Sequence, residues 1–190
     1  RWPARSRWPY IWLAAFLIMA ALFTLDHTPW RDELLHWTIV VQSDSLPDMV
    51  HNLRYEGHPA LWHILLYPLT RLTDDPAAMQ LLNLAISILA AGLILKHAPF
   101  PPLFRVLLVF GYIFFFEFTV ISRAYMLGFL FMVLSVLIYS RHGRSKPFLF
   151  ALATGALANT SGHGMIIACS LWLLFGIEWF WSRRSVTTTN

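Results

Sequence analysis

Charge is what this chain has least of. Asp, Glu, Lys and Arg make up 13% of its 190 residues, about half the quarter usual in soluble domains. That scarcity excludes an ordinary solvated surface. The single cysteine, Cys169, excludes an intrachain disulfide and a cysteine-based metal framework. It lies in an apolar run and reads as a small packing residue. The net charge is +4, but the basic residues stand at the ends of apolar segments. There is no basic stripe interleaved with aromatic residues, so nucleic acid is not indicated as a partner. There is also no internal repeat and no sequence resembling a selectivity filter.

What is abundant is apolar. Hydrophobic residues make up 57%, with fifteen Phe and nine Trp, and the mean hydropathy is +0.57. Several runs approach the roughly 20 residues that cross a bilayer. The first covers residues 8–25, with Pro9 suited to a helix first turn. Arg1, Arg5 and Arg7 precede it, and by the positive-inside rule they place this end in the cytoplasm. No small-residue cleavage site follows, so the segment reads as a retained spanning helix. The missing initial Met points to a trimmed or partial chain.

Residues 26–57 then form an outer, acidic loop. Asp26, Asp32, Glu33, Asp44, Asp48 and Glu56 stand there against Arg31 and Arg54. Its run ELLHWTIVV suits a short amphipathic helix along the interface. Ser45, Pro47 and Asp48 mark a second helix start. Residues 59–72 are short for a crossing, and Pro68 interrupts them. Residues 77–95, 103–118 and 124–139 are cleaner. Residues 147–181 make two crossings interrupted by NTSGHG at 159–164.

The charges arbitrate the topology. If residues 59–72 do not cross, Lys96, Arg105, Arg141, Arg144, Lys146, Arg183 and Arg184 all face the cytoplasm. The polar turns at 119–123 and 160–163 then join the acidic loop outside. If residues 59–72 do cross, every later basic cluster flips outward, which the positive-inside rule disfavours. The expected fold class is all-α. It is a polytopic transmembrane helix bundle of one domain, with about six crossings and one short interfacial or re-entrant helix.

Four polar patches carry the candidate chemistry. Asp32 and Glu33 are adjacent, so they cannot share one face of a regular helix. One can cap the helix while the other acts as a general base or binds a divalent cation; both can also be a cap and a solvated first-turn acid. Glu56, Gly57, His58 and Pro59 form a second patch, where His58 can meet an anion, a sugar hydroxyl or only solvent. His58 and His63 are five apart and do not make a zinc-type pair; His63 reads as packing. Glu117, Arg123 and Tyr125 flank the third break. Arg123 can bind phosphate through its planar donors or pair with Glu117, and Tyr125 can stack or anchor the interface. Asn159, Thr160, Ser161 and His163 form a capped turn or add donors to the same chamber. Trp37 and Trp62 suit either sugar stacking or interfacial anchoring.

Four stretches resemble the GT-C fold polytopic membrane glycosyltransferases, which include protein O-mannosyltransferases and the lipid A aminoarabinose transferase. They are RDELLHW after the first helix, EGHPALWHILLYPLTRL, ISRAYMLGFLFMVLSVLI and GALANTSGHGMIIA. Their order and approximate spacing match across nearly the whole chain. The resemblance implies the N-terminal portion of such an enzyme and an inverting transfer. The donor would be a polyprenyl-phosphate-linked sugar and the acceptor a glycan, lipid or protein hydroxyl. Asp32 would be the general base or hold a divalent cation, Mg or Mn. Glu33 would support the site, Arg123 would meet the donor phosphate, and His58, Tyr125 and His163 would line the substrate groove. The location implied is the bacterial inner membrane, with a periplasmic or extracellular active face. Ala60 and Ala124 replace expected prolines, and Ile121 stands where an acid is usual, with Glu117 near but not aligned; Glu56 and Glu117 are further candidate site residues. A lipid-linked sugar transporter, a non-catalytic scaffold and an inactive GT-C relative remain open at this stage.

Overall fold

Segments that are apolar all round leave their backbone amides only one economical arrangement in hydrocarbon, the helix. The computed structural model describes residues 7–143 and 145–187. Among the described residues all regular structure is helical. Arg1, Arg5 and Arg144 of the charge argument lie outside the described residues, as do the side chains of Arg183 and Arg184. The order is α1 (Trp8–Asp26), α2 (Arg31–Val41), α3 (Leu46–Asn52), a 3-10 turn (Leu53–Tyr55), α4 (Leu61–Thr70), α5 (Ala77–His97), α6 (Pro102–Phe110), a π-helix (Ile113–Val120), α7 (Ala124–His142), α8 (Pro147–Ala158) and α9 (Gly162–Thr187).

Helix α5 is the centre of the bundle. It packs on α1, α6, the π-helix and α7. Ala90 and Ala91 are fully buried there, and such small side chains let membrane helices approach closely. Phe16 of α1 meets Phe110, Phe114 and Phe115 edge-on at 5.8–5.9 Å. The outer faces remain apolar and uncovered, with Ile18, Leu22 and Leu25 on α1 and Ile166, Leu173 and Trp181 on α9. Contiguous exposed apolar surface of this kind fits lipid rather than water.

Four helices are long and apolar enough to cross a membrane: α1, α5, α7 and residues 162–181 of α9. Helix α6 and the π-helix, bent by 42°, make a fifth if they form one broken span. The chain therefore has the features of an integral membrane protein. The sixth expected crossing, α8, has 12 residues and spans only about 18 Å, short of the ~30 Å hydrocarbon core. The reason is the NTSGHG turn, which lies below the rim of the bundle. The Thr160 hydroxyl sits 2.7 Å from where a Cβ on Gly128 would be, one turn inside α7. An added Cβ at Gly164 would lie 2.3 Å from the Leu157 carbonyl oxygen, so this tight return needs glycine.

The short helix expected within residues 59–72 is present as α4, ten residues long. Both its ends are tied to the loop end of the bundle. The Leu61 N–H donates to the Asn159 carbonyl at 3.4 Å. Arg71 donates to the Val40 and Ser43 carbonyls at 3.0 and 3.1 Å. The acidic loop and the turns at 119–123 and 159–164 thus gather at one end. Lys96, Arg105 and Arg141 gather at the other, where Arg141 bonds His97 at 2.8 Å. In a Cys169→Ser background, single cysteines placed at Asp44 and at His142 are expected to react with impermeant reagents from opposite faces. Labelling of both from one face would refute this arrangement.

Candidate functional site at the loop end

Two adjacent residues on a helix point about 100° apart, and α2 uses that angle to separate its acid pair. Glu33 is fully buried. Its carboxylate accepts the Trp30 N–H at 2.8 Å, which caps α2, and the Ser122 N–H at 2.6 Å from the far side of the chain. His27 Nε2 lies 2.9 Å from it. The cap is therefore Glu33, not Asp32, and Glu33 is not solvated. Asp32 faces outward, its side chain 63% exposed, 3.6 Å from the Arg123 guanidinium.

Arg123 is held by an unusual break. The π-helix ends with the Thr119 hydroxyl donating to the Phe114 carbonyl at 2.8 Å. Fully buried Asn83 donates through Nδ2 to the Phe118 and Thr119 carbonyls at 2.9 and 2.8 Å. With the Ser122 N–H on Glu33, side chains of α2 and α5 hold the Phe118 and Thr119 carbonyls and the Ser122 N–H. Arg123 then starts α7 in extended backbone, its guanidinium 5.0 Å from the centre of the Tyr125 ring. Glu117 does not pair with Arg123; it accepts the Tyr112 hydroxyl at 2.8 Å.

The second patch is turned by Gly57 at φ +64°, a left-handed conformation that favours glycine. His58 Nδ1 lies 2.9 Å from the Glu56 carbonyl, so Glu56 contributes its backbone oxygen. The His58 ring stands edge-on to His36, centroids 5.4 Å apart. His36 Nδ1 in turn lies 3.0 Å from His63 Nε2 in a buried contact. His36 shares a face of α2 with Asp32, one turn on, and this i, i+4 spacing was the available signal for it. Asn83, Ser122 and His27 left no comparable signal, because their partners lie far along the chain.

Burial first, then the nearby His58 and Arg123, push His36 down from 6.5 to about 4, with Asp32 opposing. Burial, then His36 and His58, push His63 down to about 3. Both rings are thus neutral in the folded chain where the unfolded chain would take up protons near pH 6.5. Between about 6.5 and 4 the unfolded state binds more protons, so stability falls as pH falls. Thermal unfolding in detergent is expected at a lower temperature at pH 4.5 than at pH 7. The double variant His36→Gln/His63→Gln should lose part of that slope, and an unchanged slope would count against the buried neutral pair.

Two neighbouring cavities with shared walls lie at this end. A mouth of about 440 Å³ is lined by Gly57, His58, Tyr125, Ser161 and His163. It shares Tyr125, Ser161 and His163 with a slot of about 480 Å³ lined by Phe118, Phe129, Met132 and Leu157. His58, Tyr125 and His163 line the mouth, and Arg123, 5.0 Å from the Tyr125 ring, brings Asp32 near the same end of the bundle. Trp62 is fully buried and Trp37 is 4% exposed, its indole N–H donating to the Asp74 carbonyl, so neither serves as a sugar platform. Cys169 is exposed rather than packed. Among the described residues no three His, Cys, Asp or Glu side chains group as metal ligands. Asp32 is instead matched by Arg123, so these residues do not by themselves form a cation cage. Comparison with protein-family models, curated proteins and solved structures finds no match for this chain.

Proposed function

We propose that this protein is a membrane glycosyltransferase that moves a sugar from a polyprenyl-phosphate-linked donor to a hydroxyl on a second molecule. One observation carries the reading: a mouth bearing His58, Ser161 and His163 adjoins an apolar slot between α7 and α9, the two sharing Tyr125, Ser161 and His163. An amphiphile with a hydrophilic head and a long hydrocarbon tail matches that division. The slot takes the start of the tail, and Arg123, beside Tyr125, takes the phosphate through its planar donors. The mid-bundle polar groups argue against a transport path. The hydroxyls of Ser87, Ser135 and Thr154 all donate to carbonyls of their own helices, so these three donors are committed within the bundle.

The proposed step is a direct displacement. The acceptor O–H proton passes to Asp32, and the acceptor oxygen bonds to the anomeric carbon. The bond from that carbon to the phosphate oxygen breaks. Its electron pair leaves with the polyprenyl phosphate, whose charge Arg123 balances. The Asp32–Arg123 contact of 3.6 Å adds an order to these events: a phosphate arriving at Arg123 competes for the guanidinium and releases Asp32 toward the acceptor. The setting proposed is the bacterial inner membrane, with the loop end facing the periplasm or exterior. The test is reconstitution in liposomes with radiolabelled polyprenyl-phosphate sugars and glycolipid, glycan or serine-peptide acceptors. Release of polyprenyl phosphate with transfer of label is expected. Movement of intact donor between leaflets without its consumption would replace this reading with a transporter.

A further inference from the structure

The mouth has two chemically different ends: His58 lines it at one, and at the other Tyr125 carries Arg123 beside it, 5.0 Å from the ring centre. His58 Nδ1 is 2.9 Å from the Glu56 carbonyl. A carbonyl only accepts, so Nδ1 carries the proton. A neutral imidazole has one N–H, which leaves Nε2 as a lone-pair acceptor on a ring that lines the cavity. We infer that His58 accepts a hydrogen bond from a hydroxyl of the bound sugar and does not hold the phosphate. The inference rests on the lipid-linked sugar reading and specifies which part of the donor each end of the mouth recognises.

The surroundings support the division. The titratable and charged groups around His58 are Glu56 on its own segment, His36 from α2 with His63 behind it in α4, Tyr125 from α7 and His163 from α9, with Asp32 and Arg123 at the rim. Burial keeps His36 and His63 neutral, down at about 4 and 3, so the wall behind His58 adds no charge to draw an anion. Ser161 offers the complement: its oxygen accepts the Gly164 N–H at 3.0 Å, and its rotatable O–H is a donor lining the same mouth. An acceptor and a donor across one polar opening match the vicinal hydroxyls of a neutral sugar. A site built to bond a hydroxyl rejects analogues lacking it strongly.

The experiment uses two probes, a polyprenyl phosphate hexose and the same polyprenyl phosphate without sugar, bound to the full chain in detergent. His58→Ala is expected to raise Kd for the sugar-bearing probe about tenfold and to leave the bare phosphate unchanged. Arg123→Ala should weaken both. His58→Gln, whose amide oxygen also accepts, should recover part of the loss. Independently of any variant, 15N NMR of histidine-labelled protein should show His58 protonated at Nδ1 and bare at Nε2. Equal weakening of both probes by His58→Ala, or the opposite tautomer, would overturn the assignment. Binding that depends on His58 but never leads to transfer would sink the enzyme reading and leave this assignment standing. Binding of neither probe by the wild-type chain would remove both.

Discussion

Asp32→Asn is expected to reduce sugar transfer by a factor of about 10²–10⁴, the range general-base removal usually costs, while the protein stays folded. The carboxylate is 63% exposed and meets only Arg123, at 3.6 Å. Exposed ion pairs of that kind contribute at most about 1 kcal/mol, so a stability loss cannot account for a large effect on rate. The amide has the same shape and cannot take a proton at neutral pH. Arg123→Ala should act differently, by raising the KM for the lipid-linked donor through loss of phosphate contacts. Arg141→Ala, at the opposite end of the bundle, provides the matched loss of positive charge. Near-normal turnover in Asp32→Asn would remove that residue from the mechanism. Equal donor KM changes in Arg123→Ala and Arg141→Ala would remove phosphate recognition from Arg123.

The second large effect is on architecture. Glu33→Ala is expected to destabilise the folded chain by roughly 3–5 kcal/mol, the range seen when one partner of a buried polar pair is removed. Truncation strands the Trp30 and Ser122 N–H groups and leaves His27 without its partner. The Ser122 contact matters most, because it ties α2 to the break that starts α7 and so sets Arg123 beside Asp32. Glu33→Gln keeps one accepting oxygen but turns an NH₂ toward other donors, so it should fall between wild type and Ala. Thermal unfolding in detergent reads the order directly. A Glu33→Ala protein that melts like wild type would show that the acidic loop docks by packing alone.

The two members of the acid pair therefore act at different levels of the structure. Glu33 is buried and ties α2 to the break before α7, while Asp32 is exposed beside Arg123. That division also explains why Glu117 drops out. Two residues before the break, it meets Tyr112, five residues earlier in the chain, rather than Arg123. The long-range bonds of Asn83 do the work that a second charged residue would otherwise have to do.

Much of this was legible in the chain. Scarcity of charge and near-continuous apolar runs required helices, because hydrocarbon leaves the backbone no other partner. Pro68 and the short run of residues 59–72 indicated a short helix, and the structure has one of ten residues there. Turn chemistry located the breaks at 119–123 and 159–164. These are local properties, set by composition and by neighbours a few residues away. The depth of the second break was not legible, since it depends on how closely Thr160 and Leu157 approach Gly128 and Gly164. Nor was the separation of Asp32 from Glu33 decided locally, because both residues suit a helix first turn equally well. A partner 89 positions away, the Ser122 N–H, selected which carboxylate is buried. The His36–His63 contact likewise joins residues 27 apart. Local chemistry determined that this protein is a helical membrane bundle with polar groups at one end. Only tertiary packing decided which of those groups face the opening, because burial and distant hydrogen-bond partners are not properties of any one stretch of sequence.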